Sequence, residues 1–346
     1  MFAPDGKTFA SAGGETVVRT WDPASGRESE PRPGHKGQRA ELAVSPADGT
    51  VFTSGHLDHL ILRWDPTMGN CLGTVAEGLS GILAIDVAPD GKNMLIDTWD
   101  GLMLWEIATR REVRRFTGTR PSHTGFYRAE FSPDGRSVTM GLEVWDTATG
   151  RKLASFVHRQ QDEKTKPYFT AARFTPDSKR LIAFEEHGIG VLDLAAGKEI
   201  SRPIRAELNN PWLSVISPDG RLVATGNFVP FSPTIRDGRE QKADLTIRVY
   251  ELASGMQVAT FVGHIDQITG MAFSPDSRTI ATASGNYWHR KDRTIRVWDV
   301  ATGLALHSFD NPDGAESIEY LPDGRSVVTV DMDGVATVWD VSVPSS

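Results

Sequence analysis

Cysteine is almost missing from this chain. Cys71 is the single one in 346 residues, which excludes an internal disulfide framework and a thiolate metal cluster, so nothing calls for an oxidising compartment. A cytoplasmic location is expected. Long apolar runs are missing too. No stretch approaches the roughly 20 residues of a spanning helix, and the opening MFAPDGKTFA has neither the basic start nor the apolar middle of a secretion signal. Cationic residues are in deficit: the formal net charge of -8 repels nucleic acid and anionic membrane, which leaves a protein or peptide ligand as the expected partner. Chemical signatures are equally sparse. There is no GxSxG elbow, no Cys–His pair and no glycine cradle feeding a helix. His56, Asp58 and His59 stand close together in GHLDH, but successive strand residues face opposite sides, so no metal and no cofactor is expected.

What the chain has instead is a repeat. Pro-Asp turns or near-equivalents fall at Pro4, Pro46, Pro89, Pro133, Pro176, Pro218, Pro275 and Pro322. Each is followed by an aromatic or apolar residue before an acid, at Trp21, Trp64, Trp105, Trp145, Leu192, Tyr250, Trp298 and Trp339. Eight units result, at approximately 1–34, 35–78, 79–118, 119–157, 158–204, 205–263, 264–310 and 311–346. Their spacing is that of a four-stranded propeller blade, about 40 to 45 residues. The clearest copy, unit 7, reads as strands A (268–273), B (278–283), C (294–298) and D (304–309), rich in Ile, Val, Thr and Phe and joined by Ser-Pro-Asp and Ala-Thr-Gly turns.

These residues resemble the WD40-repeat family, of the bacterial type, over essentially the whole chain. The resemblance implies an all-β, WD40-like β-propeller in a single domain. It also implies a hydrogen-bonded set inside each blade: His35, Ser54, Asp58 and Trp64 in unit 2, and His264, Thr282, Asp292 and Trp298 in unit 7. Other units depart from the pattern. Unit 3 has Gly78-Leu79 where Gly-His would stand, and unit 5 has lost its Trp and is similar to TolB-type repeats. Such blades must cohere by packing.

Two closures fit eight units whose first and last are incomplete. One is an eight-bladed ring; in the other, residues 27–33 complete unit 8 and seven blades close. Eight blades are favoured, because the hairpin 7–21 then keeps Phe9, Val17 and Trp21 packed. An opening in mid-unit also fits a piece of a longer repeat array.

Insertions gather on one face. Antiparallel strands put B–C and D–A loops together, and the long ones belong to blades 4 to 7. From the strand B hydroxyl residue to the strand C aromatic is 10 residues in unit 2, 16 in unit 7 and 25 in unit 6. The unit 6 insertion offers Phe228, Phe231, Arg236, Arg239 and Lys242; that of unit 7 offers Tyr287, Trp288, His289 and Arg290. Aromatics with Arg are enriched at interface centres. The expected function, which the resemblance also implies, is a non-catalytic protein-interaction scaffold. The alternative is a lactonase-like propeller enzyme with acids in the central channel, for which Glu130 and Glu319 are the candidates.

Overall fold

Among the described residues of the computed structural model every regular element is a strand. It describes residues 9–12, 18–22 and 27–28, His35, and residues 40–342 apart from 56–57, 66–70, 80, 118–128, 157–168, 186–187, 205–212, 227–233, 237–238, 242–243, 286–290 and 332–334. Unit 1 holds β1 (Phe9–Ala12), β2 (Val18–Asp22) and β3 (Arg27–Glu28) in one three-stranded sheet. Six four-stranded antiparallel sheets follow. Unit 2 gives β4 (Ala40–Val44), β5 (Val51–Gly55), β6 (Ile61–Trp64) and β7 (Cys71–Ala76). Unit 3 gives β8 (Ile82–Val87), β9 (Asn93–Thr98), β10 (Gly101–Glu106) and β11 (Arg111–Phe116). Unit 4 gives β12 (Ala129–Phe131), β13 (Ser137–Met140), β14 (Glu143–Asp146) and β15 (Lys152–Ser155). Unit 5 gives β16 (Phe169–Phe174), β17 (Arg180–Glu185), β18 (Gly188–Asp193) and β19 (Lys198–Ile204). Unit 6 gives β20 (Leu213–Ile216) and β21 (Leu222–Gly226), an inserted hairpin β22 (Thr234–Arg236) and β23 (Arg239–Gln241), then β24 (Ile247–Glu251) and β25 (Gln257–Phe261). Unit 7 gives β26 (Ile268–Phe273), β27 (Thr279–Ser284), β28 (Thr294–Asp299) and β29 (Ala305–Asp310). The last sheet, of unit 8, has three strands: β30 (Ser317–Tyr320), β31 (Ser326–Val330) and β32 (Ala336–Asp340).

The ring closes with seven blades, not the favoured eight. Strand β30 meets β4 directly, and Leu321, Val328 and Val330 of unit 8 pack into one core with Leu42, Val51, Leu62 and Trp64 of unit 2. That apolar seam fills the place an eighth blade would need. The other closure differs from the structure as well, since β3 pairs with β2 rather than with β32.

Repeated local chemistry makes each blade. In the A–B turn of unit 7, Ser274 Oγ donates to Asp276 Oδ1 at 2.6 Å and accepts the N–H of Thr279 at 3.0 Å, while Asp276 accepts the N–H of Arg278 at 3.0 Å. The same trio recurs around Asp134, Asp177 and Asp219. Burial raises the carboxyls of Asp134, Asp219 and Asp276, but these bonds outweigh it and hold all three below the usual carboxylate range.

Between blades the contact is apolar. Phe261, at the end of β25, stacks on Trp298 of the next blade, 5.4 Å between ring centroids and 12° between planes. Phe116 and Trp145, and Phe309 and Trp339, repeat the pairing at 6.1 and 6.0 Å. Burying one such ring stabilises by about 1.5–3 kcal/mol, so the sum over the ring is a large part of what holds the blades together.

One irregularity recurs at the outer edge. In each four-stranded blade the D strand bulges opposite the signature residue of strand C, so that Leu72, Val113, Leu153, Ile200, Val258 and Leu306 have no partner in the ladder. All six are exposed aliphatics.

Candidate interaction surface

The polar sets lie inside the blades. In unit 7, His264 Nδ1 bonds Asp292 at 3.0 Å, His264 Nε2 bonds Thr282 Oγ1 at 2.7 Å, and Trp298 Nε1 donates to the same hydroxyl at 2.9 Å. One proton arrangement satisfies every atom: Nδ1–H donates to the carboxylate, Thr282 donates to Nε2, and the indole donates to Thr282. Burial depresses the His264 pKa and outweighs the pull of Asp292. Burial alone would raise Asp292, but its bonds from His264, Thr294 and the Ile265 N–H hold it far below the usual range.

Unit 2 repeats this with one correction. His35 bonds Asp58 at 2.9 Å, but the shared hydroxyl is Thr53, at 2.9 Å from His35 Nε2 and 2.7 Å from Trp64 Nε1. Ser54, the residue expected there, is buried with its Oγ unpartnered. Adjacent strand residues face opposite sheet faces, so an error of one residue puts the hydroxyl on the wrong side.

In unit 8 Trp339 Nε1 keeps the equivalent bond, to Thr329 Oγ1 at 2.9 Å. Departing units differ: Trp145 Nε1 donates to the carbonyl of Thr117 at 3.1 Å, and Trp105 Nε1 is buried without a partner. There packing carries more of the load: in unit 5, Ile182, Phe184, Ile189 and Val191 form a core with Val223 and Tyr250 of unit 6.

On the face shared by the B–C and D–A loops, Arg236 and Arg239 are backbone partners at the end of the hairpin β22–β23. Phe228, Phe231, Lys242, Tyr287, Trp288, His289 and Arg290 lie outside the described residues. The junction from β25 to β26 exposes Val262 at 72 % and Ile265 at 66 %. The sequence reading passed over both, although two aliphatics flanking Gly263-His264 are an unusual content for a loop. On the same face in unit 3, Trp99 is 61 % exposed and lies across Gly81, where a Cβ would come 2.7 Å from its ring.

The inner strands hold carboxylates that are already engaged. Glu130 Oε1 accepts the N–H of Phe174 at 2.6 Å and its Oε2 takes Arg173 Nη1 at 2.9 Å. Asp86 accepts the N–H of Phe131 at 2.7 Å.

Comparison with known proteins agrees with this geometry. The family model for the WD domain, G-beta repeat, matches residues 255–299, which run from the C–D turn of unit 6 through the His264 set of unit 7. The chain is a β-propeller that carries a WD40 repeat at residues 255–299. This propeller is 35 % identical over 162 residues to an uncharacterized WD repeat-containing protein of Synechocystis sp., a match covering 46 % of this chain and 40 % of that one. It is 20 % identical over 251 residues to the periodic tryptophan protein 2 homolog of Dictyostelium discoideum, covering 70 % and 24 % of the two chains. It is 28 % identical over 105 residues to the nuclear distribution protein PAC1 of Arthroderma otae, covering 29 % and 23 %. The chain thus spans 40 % or less of each of these three relatives. Among solved structures, a chain of Kuenenia stuttgartiensis hydrazine synthase superposes with a TM-score of 0.66 at 17 % identity, over 91 % of this propeller and 98 % of that chain. At that identity the likeness is one of fold.

Proposed function

We propose that this propeller is a non-catalytic protein-interaction scaffold whose docking face is built from the B–C and D–A loops of units 6 and 7. The observation that carries the reading is the exposure of Val262 and Ile265 in the junction from β25 to β26. Exposed aliphatics beside Arg and aromatic residues match the composition of an interface centre. Of the two acids that the enzymatic reading names, Glu130 is committed elsewhere: it accepts the Phe174 N–H and pairs with Arg173 of the next blade, which leaves it ill-placed for proton transfer. The WD-repeat relatives support an interaction role in general terms.

Affinity purification with the whole chain, followed by the double variant V262S/I265S and by Trp288→Ala, tests the reading. A partner retained by the wild type and lost by both variants, at unchanged melting temperature, is the expected result. Retention by both variants would move the docking face elsewhere.

A further inference from the structure

Among the described residues, four that are not glycine take a positive φ: His59, Arg110, Ser178 and Ser277. This region is strained for any residue with a Cβ and persists where something compensates. Three of the four use their side chains locally. His59 Nδ1 accepts the N–H of Gly81 at 3.3 Å, Ser178 Oγ accepts that of Asp134 at 3.0 Å, and Ser277 Oγ accepts that of Asp219 at 3.2 Å. Arg110, at φ 57°, is exposed and has no partner of this kind. Its position is the C–D turn, where units 4, 5, 6 and 7 place Gly150, Gly197, Gly255 and Gly303 at φ between 62° and 73°. In all five turns the N–H makes the same bond, to the carbonyl four residues back, at 2.8 to 2.9 Å. Backbone geometry therefore asks for glycine at 110, and the chain supplies a guanidinium.

That guanidinium stands in a cluster. Residues 110–115 read Arg-Arg-Glu-Val-Arg-Arg, and β11 is the outer strand of its blade. None of β7, β15, β19, β25 and β29 carries more than two cationic residues. The acids nearby are used: Glu112 is forked by Arg115 at 2.9 and 3.0 Å, and Glu106 takes the hydroxyl of Thr109. Arg110 and Arg111 project from the rim without a described anion, and Arg114, lying against Gly150 of the next blade, has a buried Nη1 with no acceptor. Val113, 49 % exposed, sits between them.

We propose that the outer rim of the unit 3 blade is a docking surface, separate from the loop face, for an acidic extended segment of a protein partner. Its carboxylates pair with the exposed Arg110 and Arg111, and its small apolar residues cover Val113. Bidentate pairing of carboxylate with Arg is the strong form of this contact. The bulge at Val113 interrupts main-chain pairing, so side chains carry the recognition. Nucleic acid fits less well. Two exposed cations without a described anion, Arg110 and Arg111, are too few for a polyanion that a chain of net charge -8 otherwise repels.

The test is fluorescence anisotropy of the full chain with a labelled ten-residue peptide alternating Glu and Ala, its Gln-for-Glu counterpart, and a ten-nucleotide single-stranded DNA. Expected are binding of the Glu peptide about tenfold tighter than the other two, loss of most of that advantage at high salt, and about tenfold weaker binding in R111A. Arg110→Gly separates docking from folding: relief of the positive φ raises the melting temperature while the peptide binds about threefold more weakly. Equal binding of the Gln peptide, tighter binding of the DNA, or an affinity unchanged by Arg110→Gly would overturn the proposal.

Discussion

Glu130 of one blade holds the backbone of the next: its carboxylate accepts the Phe174 N–H at 2.6 Å. A second oxygen takes Arg173 of the same strand, and Asp86 makes the equivalent bond to Phe131 one blade earlier. Hydrogen bonds to charged groups contribute about 1.5–3 kcal/mol each. Glu130→Ala is therefore expected to cost about 2 kcal/mol in urea unfolding, and Glu130→Gln, which can still accept the Phe174 N–H, about half that. Equal costs would mean that the bond to Phe174 contributes little.

Thr53 and Ser54 are neighbours with opposite fates. Thr53→Val strands the His35 imidazole and the Trp64 indole N–H together, and should cost about 3 kcal/mol. Ser54→Ala removes a buried hydroxyl that has no partner and should be neutral or slightly stabilising. Thermal melts of the two variants side by side check the assignment, and a reversed order would restore Ser54 to the set.

Acid should destabilise the ring in two windows. The folded His264 pKa lies below its ordinary value of 6.5, so as pH falls through that value the unfolded chain binds a proton that the folded chain refuses, and stability declines. The turn aspartates Asp134, Asp219 and Asp276 have folded values below 3.8; their contribution is present above about pH 4 and is lost as pH falls through the folded values. Melting temperatures between pH 8 and 5 should drop, with a flatter slope in His264→Gln. An unchanged slope in that variant would show that other groups govern the first window.

Gly270 should be intolerant of any side chain. A Cβ there would lie 2.8 Å from both the backbone nitrogen and Cγ2 of Ile318 in the next blade, and backbone at this distance cannot step aside. Gly270→Ala is expected to lower stability by about 2 kcal/mol or more through forced separation of β26 and β30, read as an early melt. A wild-type melt would show that the two inner strands can slide apart.

The blade plan was legible because it is written locally: Pro-Asp turns, Trp-Asp strand ends and alternating apolar residues all act over a few positions. The inserted hairpin was legible too and went unread, since Asp237-Gly238 between Thr-Ile-Arg and Arg-Glu-Gln is a strong short-range turn signal. Thr53 could have been found by counting from the histidine, as 18 residues separate His35 from Thr53 and His264 from Thr282. Blade number was not legible. It depends on whether Leu42 and Trp64 meet Leu321 and Val330, a contact nearly the whole chain long that leaves no local mark. Glu130 drew attention as a channel acid for the same reason, because its partner Phe174 sits 44 residues away.

The bulges of the six outer strands bear on how the wheels behave when crowded. A neighbouring molecule that laid a strand along β15 or β25 would fall out of step at Leu153 or Val258, after only a few residues of matched donors and acceptors. A bulge of this kind is a known guard against edge-to-edge growth. Repeated around the circumference, it lets the rim carry oily side chains in the open without offering a template on which one wheel could grow into a fibre.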